Sequence, residues 1–220
     1  MPLSPPRDVL TNTPIYRIIH VENLHVYLDR DRLHAPNHMP DDGLEWRGIE
    51  DQKVQANRYT AALAKGPGGT ILDYISFYFG PRSPMLLRLA THREVDYGGP
   101  QEDIIYLAST AQEMVRRRRR CVFSDGHGLA RFTRWFEDLS DLNKLDWPVI
   151  YAEWWNDCPD DGDRQRRKQA EFLVHKSCGW DCVLEIGVRG PRAKTAVEQI
   201  LAEYPNAGTP PVNLRTDWYY

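Results

Sequence analysis

Residues 163–174 read DRQRRKQAEFLV and leave the chain little choice about where they can lie. Arg164, Arg166, Arg167 and Lys168 put four positive charges within five residues, and these need water, phosphate or carboxylate around them. Phe172, Leu173 and Val174 form a short apolar run of the kind that makes a buried strand. Glu171 therefore stands where a cationic surface meets the core. The same segment also fits an ordinary loop-to-strand boundary in which the glutamate has no task.

At 220 residues the chain can bury a sizeable core. Its 41% hydrophobic and 27% charged residues are those of a soluble globular protein, and no apolar run nears the length that crosses a bilayer. No membrane association is expected. Residues 1–13 are proline-rich and lack the apolar centre of a secretory signal, so they read as a disordered lead-in to a single domain over residues 14–220, in the cytoplasm. The cysteines at 121, 158, 178 and 182 form no CxxC pair and have no histidines at zinc spacing. His34 and His38 are four apart, but Pro36 lies between them and argues against a helical metal-binding face, so no metal is expected.

The net charge of -3 does not advertise nucleic-acid binding, but its distribution does. Arg116 to Arg120 form an unbroken run, and the second basic cluster is that of positions 164–168. Such clusters make phosphate-binding surfaces even on a neutral molecule. They also make solvated faces. For the first run, Ser109 with Gln112 resembles a capping box, so the arginines would close the last turn of a helix, where cations are favoured.

Alternation predicts strands over 15–20 (IYRIIH), 70–79 (TILDYISFYF), 85–90, 103–108, 121–123 and 183–188, besides the one after Glu171. Helical spacing predicts helices over 22–33, 52–65, 129–142 and 191–202, the last with Pro191 just inside its start. Arg58 falls on the second of these. His20 ends a strand just before a helix, a place where open sheets collect ligands, though a single histidine there is as readily structural. Gly66, Gly68 and Gly69 precede a strand and match no phosphate loop, and the SDGHG turn at 124–128 is not GxSxG. The aromatic tail at 217–220 is expected to pack back on the body. Strands and helices do not alternate regularly, so the class is α+β.

Several stretches together resemble the DarT-type DNA ADP-ribosyltransferase toxins. They are IYRIIHVENL (15–24), the arginine at 58, FYFGPRSPML (77–86), FSDGH (123–127), the region 147–155 and RQRRKQAEFLV (164–174). The resemblance spans nearly the whole chain, and Leu87 departs from it where an aromatic residue is more usual. It implies the ADP-ribosyltransferase fold, two twisted β-sheets meeting around an NAD cleft and flanked by helices. It implies NAD+ as co-substrate and an unpaired base of single-stranded DNA as acceptor, thymine first and guanine second. By the same resemblance Glu171 is the catalytic acid and Arg58 the catalytic arginine, which also touches NAD+. His20, Asn23 and Met85 then line the NAD+ site. His127 lies toward the DNA, and Arg164, Arg166, Arg167 and Lys168 lie where a DNA backbone passes. A macrodomain-type antitoxin, DarG-like, is the implied partner.

These residue types suit that chemistry. Cleaving the nicotinamide–ribose bond builds positive charge on the ribose, which a fixed carboxylate stabilises. The same carboxylate can take a proton from an attacking ring nitrogen. An arginine clamps a diphosphate or orients an acceptor. An unpaired base spares the cost of extrusion from a duplex. Transfer to RNA or protein, and a non-enzymatic nucleic-acid-binding module, remain open alternatives at this stage.

Overall fold

A computed structural model describes residues 3–92 and 97–220. In chain order it has β1 (Pro14–His20), α1 (Asn23–Asp29), β2 (Arg32–His34), α2 (Gln52–Thr60), β3 (Tyr74–Tyr78), α3 (Pro84–Thr91), β4 (Ile104–Thr110) and α4 (Ala111–Arg116). There follow β5 (Cys121–Ser124), β6 (Trp135–Phe136), α5 (Trp147–Tyr151), α6 (Arg164–Lys168), β7 (Glu171–His175), β8 (Ser177–Gly179), β9 (Glu185–Val188), α7 (Pro191–Ala202) and β10 (Val212–Leu214). This is the α+β class, with a small β2–β8 sheet beside an eight-stranded one in the order β10-β9-β4-β1-β3-β7-β5-β6.

The eight strands fall into two halves. β1 pairs with β4 along its whole length, and β3 pairs with β7 from Tyr74–His175 to Tyr78–Glu171. Between the halves, however, β1 meets β3 at the single pair Tyr16–Tyr78. Beyond that pair the strands diverge, and Arg17 crosses the opening to donate to the Ser76 carbonyl at 3.1 Å. A sheet split in this way cannot close its own hydrogen bonds, so side chains such as Arg17 take up backbone groups along the opening. The two-sheet expectation corresponds to these halves.

Each half buries its own aromatic cluster. Phe79 meets Phe123, Phe172 and Trp147 edge-on, at ring-centroid distances of 6.0, 5.9 and 5.5 Å. In the other half Trp218 packs on Tyr16 and Tyr106, and the Tyr106 hydroxyl donates to the Trp218 carbonyl at 3.0 Å, so the tail does return to the body. Residues 3–13 carry no helix or strand, and the Gln112 amide holds them by donating to the Val9 and Leu10 carbonyls.

Several predicted elements need correction. Residues 85–90 are helical and not a strand. Ser83 accepts from the Leu86 N–H and Pro84 occupies the first turn, start signals that outweigh the branched apolar run after them. The helix predicted over 129–142 is absent. Asp125 captures both the backbone N–H and the guanidinium of Arg134, which draws the chain into β6 against β5 and leaves Phe132 80% exposed. The helix over 22–33 stops at Asp29, because Asp31 takes a left-handed conformation (φ 46°) and turns the chain into β2. α2 is shorter than 52–65, and the first part of 70–79 is a turn closed by reciprocal Thr70 and Asp73 caps. The cap of the arginine-tipped helix is Thr110, accepting from the Glu113 N–H, while Ser109 donates to the Cys182 carbonyl.

Candidate active site

Glu171 opens β7 directly opposite Tyr78, at the point where the two half-sheets part. Its carboxylate is 2% exposed and accepts from Arg58 at 2.7 and 3.3 Å. The Arg58 guanidinium reaches across from α2 and donates also to Ser76 Oγ at 2.6 Å. Burial works against the Arg58 charge, but the carboxylate beside it more than compensates and keeps it cationic. Burial, reinforced by the Glu171 charge, pushes the Tyr78 hydroxyl up to about 12, so it stays protonated as a donor. A buried ion pair is weak evidence for stability, since its desolvation cost rivals its attraction. It is better evidence for a site that needs a fixed carboxylate.

The loop after β5 supports this acid from behind. The Glu171 N–H donates to Ser124 Oγ, whose hydroxyl donates in turn to the Gly126 carbonyl at 2.7 Å. A side chain on Gly128 would stand 3.1 Å from Glu171 Oε2 and 3.0 Å from Ile71, so the position is kept bare for the carboxylate. Between them His127 is held by its N–H, which donates to the Arg166 carbonyl at 2.9 Å. Burial lowers the His127 pKa below its ordinary 6.5, against the pull of Glu171, so its ring is neutral at pH 7.

Three adjoining cavities open around this pair. One of about 80 Å³ lies in the split itself, between Arg17, Ser76, Tyr78, Arg58 and Glu171. A second, of about 230 Å³, has Glu171, Met85, Arg88, His127 and Gln169 on its walls. A third, of about 290 Å³, runs beneath Tyr27, His34 and Trp46. Glu50 and Gln55 line all three, so the start of α2 stands over the cleft.

His20 ends β1 four positions beyond Tyr16, hence roughly 13 Å along the strand from the level of Glu171. Its Nδ1 accepts from the Glu22 N–H at 3.2 Å, while Nε2 is buried without a hydrogen-bond partner. An orphaned ring nitrogen at that distance fits a ligand hydroxyl at the far end of a dinucleotide. Asn23 is engaged otherwise. Its amide exchanges two 2.8 Å bonds with the backbone of Arg47 and so fixes the loop over the cleft.

The cluster on α6 is held within the fold. Arg166 pairs with Asp125 at 2.8 Å and Asp163 at 2.7 Å, and Arg167 with Asp146 and Asp161. Arg164 donates to the Trp154 carbonyl at 2.8 Å. Lys168 is 5% exposed and donates to the carbonyls of Ile150 and Ala152, and burial lowers its pKa to about 8. In the other run, Arg116 and Arg117 clasp Glu113. Among the described residues no group of three or more His, Cys, Asp or Glu could hold a metal ion, and no helix is long and apolar enough to cross a membrane.

Residues 16–220 match the family model described as ssDNA thymidine ADP-ribosyltransferase, DarT. The chain belongs to the DarT family. A DNA ADP-ribosyl transferase of Thermus sp. (strain 2.9) is 40% identical over 208 residues, covering 94% of this chain and 96% of that one. The solved Thermus sp. 2.9 DarT in complex with ADP-ribosylated ssDNA superposes with a TM-score of 0.89 at 38% identity, covering all of both chains. The same protein in complex with NAD+ gives 0.84 at 38% identity, over 94% of this chain and 98% of that one. In this DarT-family chain the structure thus brings Glu171, Arg58, Met85 and His127 to one cavity wall, while His20 is buried at the end of β1 and lines none of the three cavities. The sequence reading did not single out Ser76, Tyr78, Arg17 or Gly128. A polar Ser76 inside an apolar strand was the one visible signal.

Proposed function

We propose that this protein is an NAD+-dependent ADP-ribosyltransferase that modifies thymine in single-stranded DNA, as the toxin of a toxin–antitoxin pair. The observation that carries the reading is the buried Arg58–Glu171 pair on the wall of a cleft between two half-sheets, in a chain of this family. Glu171 stabilises the positive charge that grows on the ribose as the bond from C1′ to the nicotinamide nitrogen breaks. Arg58, charged and fixed by Ser76, sets the direction of that carboxylate. Nicotinamide leaves with the bonding pair, a thymine ring nitrogen forms the new bond to C1′, and its proton passes to the carboxylate. His20 takes the adenosine end through its Nε2, which has no hydrogen-bond partner and lies 4.0 Å from Asp103, while Met85 packs between the ends and Asn23 holds the overlying loop.

The neutral ring of His127 faces the acceptor base. We further propose that Arg164, Arg166, Arg167 and Lys168 serve DNA at one remove, holding the loops it touches. Their internal acid and carbonyl partners support this role. An antitoxin with macrodomain-type hydrolase activity belongs to the same proposal and rests on family membership alone. Mass spectrometry of a thymine-containing oligonucleotide after incubation with enzyme and NAD+ tests it. The expected product carries one ADP-ribose on thymine. Modification of guanine would change the base, and label confined to RNA or protein would overturn the substrate.

A further inference from the structure

Trp154 is 82% exposed, in a fold that buries most of its other large aromatic side chains. It lies on a cavity of about 310 Å³ outside the cleft, together with Trp155, Tyr220, Asn156 and Leu87. An exposed indole beside a second indole and a phenol marks a binding surface. α3 separates this cavity from the one that holds Glu171. Leu87 faces the tryptophans, while Met85 and Arg88 face the acid. A helix is about 10 Å across, or about three stacked-base rises of 3.4 Å, so a strand whose base reaches Glu171 has its neighbours within range of Trp154.

The loop is built to hold its place. Arg164 donates to the carbonyl of Trp154 itself, and Lys168 to those of Ile150 and Ala152 just before it. Two cations of α6 thereby fix the backbone that carries the indole. The surroundings do not favour phosphate, since Glu153 lines the cavity and Asp157 follows, and Arg82 is already paired with Glu153 at 3.0 Å. Flat aromatic faces without free cations suit an uncharged base, held by stacking.

We propose that the Trp154–Trp155 cavity is a stacking site for a nucleotide flanking the acceptor, which adds affinity for longer single strands. The proposal rests on the DNA-modifying function above. The test compares the wild type with Trp154→Ala and Trp154→Phe on oligonucleotides lengthened one nucleotide at a time on either side of the acceptor, with an abasic sugar substituted at each added position. The abasic sugar keeps the phosphate and removes only the base. In the wild type, the base should lower KM about tenfold over the abasic sugar at one position. Trp154→Ala should abolish that preference, Trp154→Phe should restore most of it, and kcat on the shortest acceptor should not change.

Equal KM values for base and abasic sugar at every position would overturn the site. So would a preference that survives in Trp154→Ala, which would leave the surface to a protein partner. Quenching of tryptophan fluorescence by the same oligonucleotides makes the comparison without NAD+. A failure of transfer therefore counts against the proposed function, and a missing base preference against this site.

Discussion

Glu171 follows Lys168 by three positions, yet the ions on the two sides of that junction are used in opposite ways. Downstream, Glu171 is met by one arginine, is almost wholly buried, and fronts a cleft. Upstream, Arg166 meets Asp125 and Asp163 while Arg167 meets Asp146, Asp161 and Asp163, and their charge is spent inside the fold. The difference lies in partners and not in residue type. A carboxylate with a single fixed partner on a cavity wall can act on something else. A guanidinium surrounded by acids can only hold things in place.

The largest expected effect breaks the downstream side. Glu171→Gln removes the charge and keeps the shape, and should lower kcat for transfer by about 10²–10³ while oligonucleotide affinity stays within twofold. It also leaves the Arg58 cation buried without its counter-charge, so a lower Tm should accompany the loss. A variant with normal kcat would remove Glu171 from the chemistry.

The next prediction addresses the upstream side. Arg166→Met leaves Asp125 held by Arg134 alone and loosens the loop that carries His127, and should lower kcat about tenfold at unchanged salt dependence of DNA binding. Arg166→Lys separates the two roles for this residue. A phosphate contact would largely survive the change, because lysine keeps the charge. A positioning contact would not, because lysine lacks the fork that spans Asp125 and Asp163 at once. We expect Arg166→Lys to behave like Arg166→Met.

That contrast also shows what could be read from the chain alone. The strand after Glu171 and the helix over 191–202 were legible because each has one dominant pattern, an apolar run in the first and Pro191 ahead of helical spacing in the second. The segments over 85–90 and 129–142 were not. Ser83 and Asp125 set the backbone there from outside the apolar pattern, and a periodicity argument weighs only the pattern. Arg58 and Glu171 could be named through family resemblance, but not their pairing, which spans 113 positions. Of the acids that neutralise α6, Asp163 stands at helical i,i+3 and i,i+4 spacing from Arg166 and Arg167, but the distant ones were equally invisible. Asp125 lies 41 positions from Arg166, and no spacing rule connects them.

A smaller effect should appear with pH. The His127 pKa is lowered by burial, so between that lowered value and 6.5 the unfolded chain binds more protons than the folded one. This contribution to stability therefore rises with pH across the window and falls on acidification. Transfer should follow the same sense, with an acid limb below pH 6.5 as the ring next to the acceptor becomes charged. In His127→Gln that limb should shift or vanish in the profile of kcat/KM, whereas a limb unchanged from the wild type would assign the titration elsewhere.

The smallest effect concerns which arginines the DNA backbone meets, and it decides how far the comparison between the two regions extends. If the α6 cations are spent internally, the salt dependence of binding must come from exposed cations elsewhere. Arg131 is a candidate, exposed beside Phe132 on the segment that follows His127 and Gly128. For a single strand, each phosphate neutralised contributes about 0.7 to the slope of log K against log salt. Arg131→Ala should flatten the slope by about that amount. Arg167→Met should leave it unchanged, because Asp146 and Asp161 already hold that guanidinium and no counterion is released when DNA arrives. A flattened slope in Arg167→Met would mean that DNA displaces the acids, and α6 would then belong with the cleft as a surface that substrate touches.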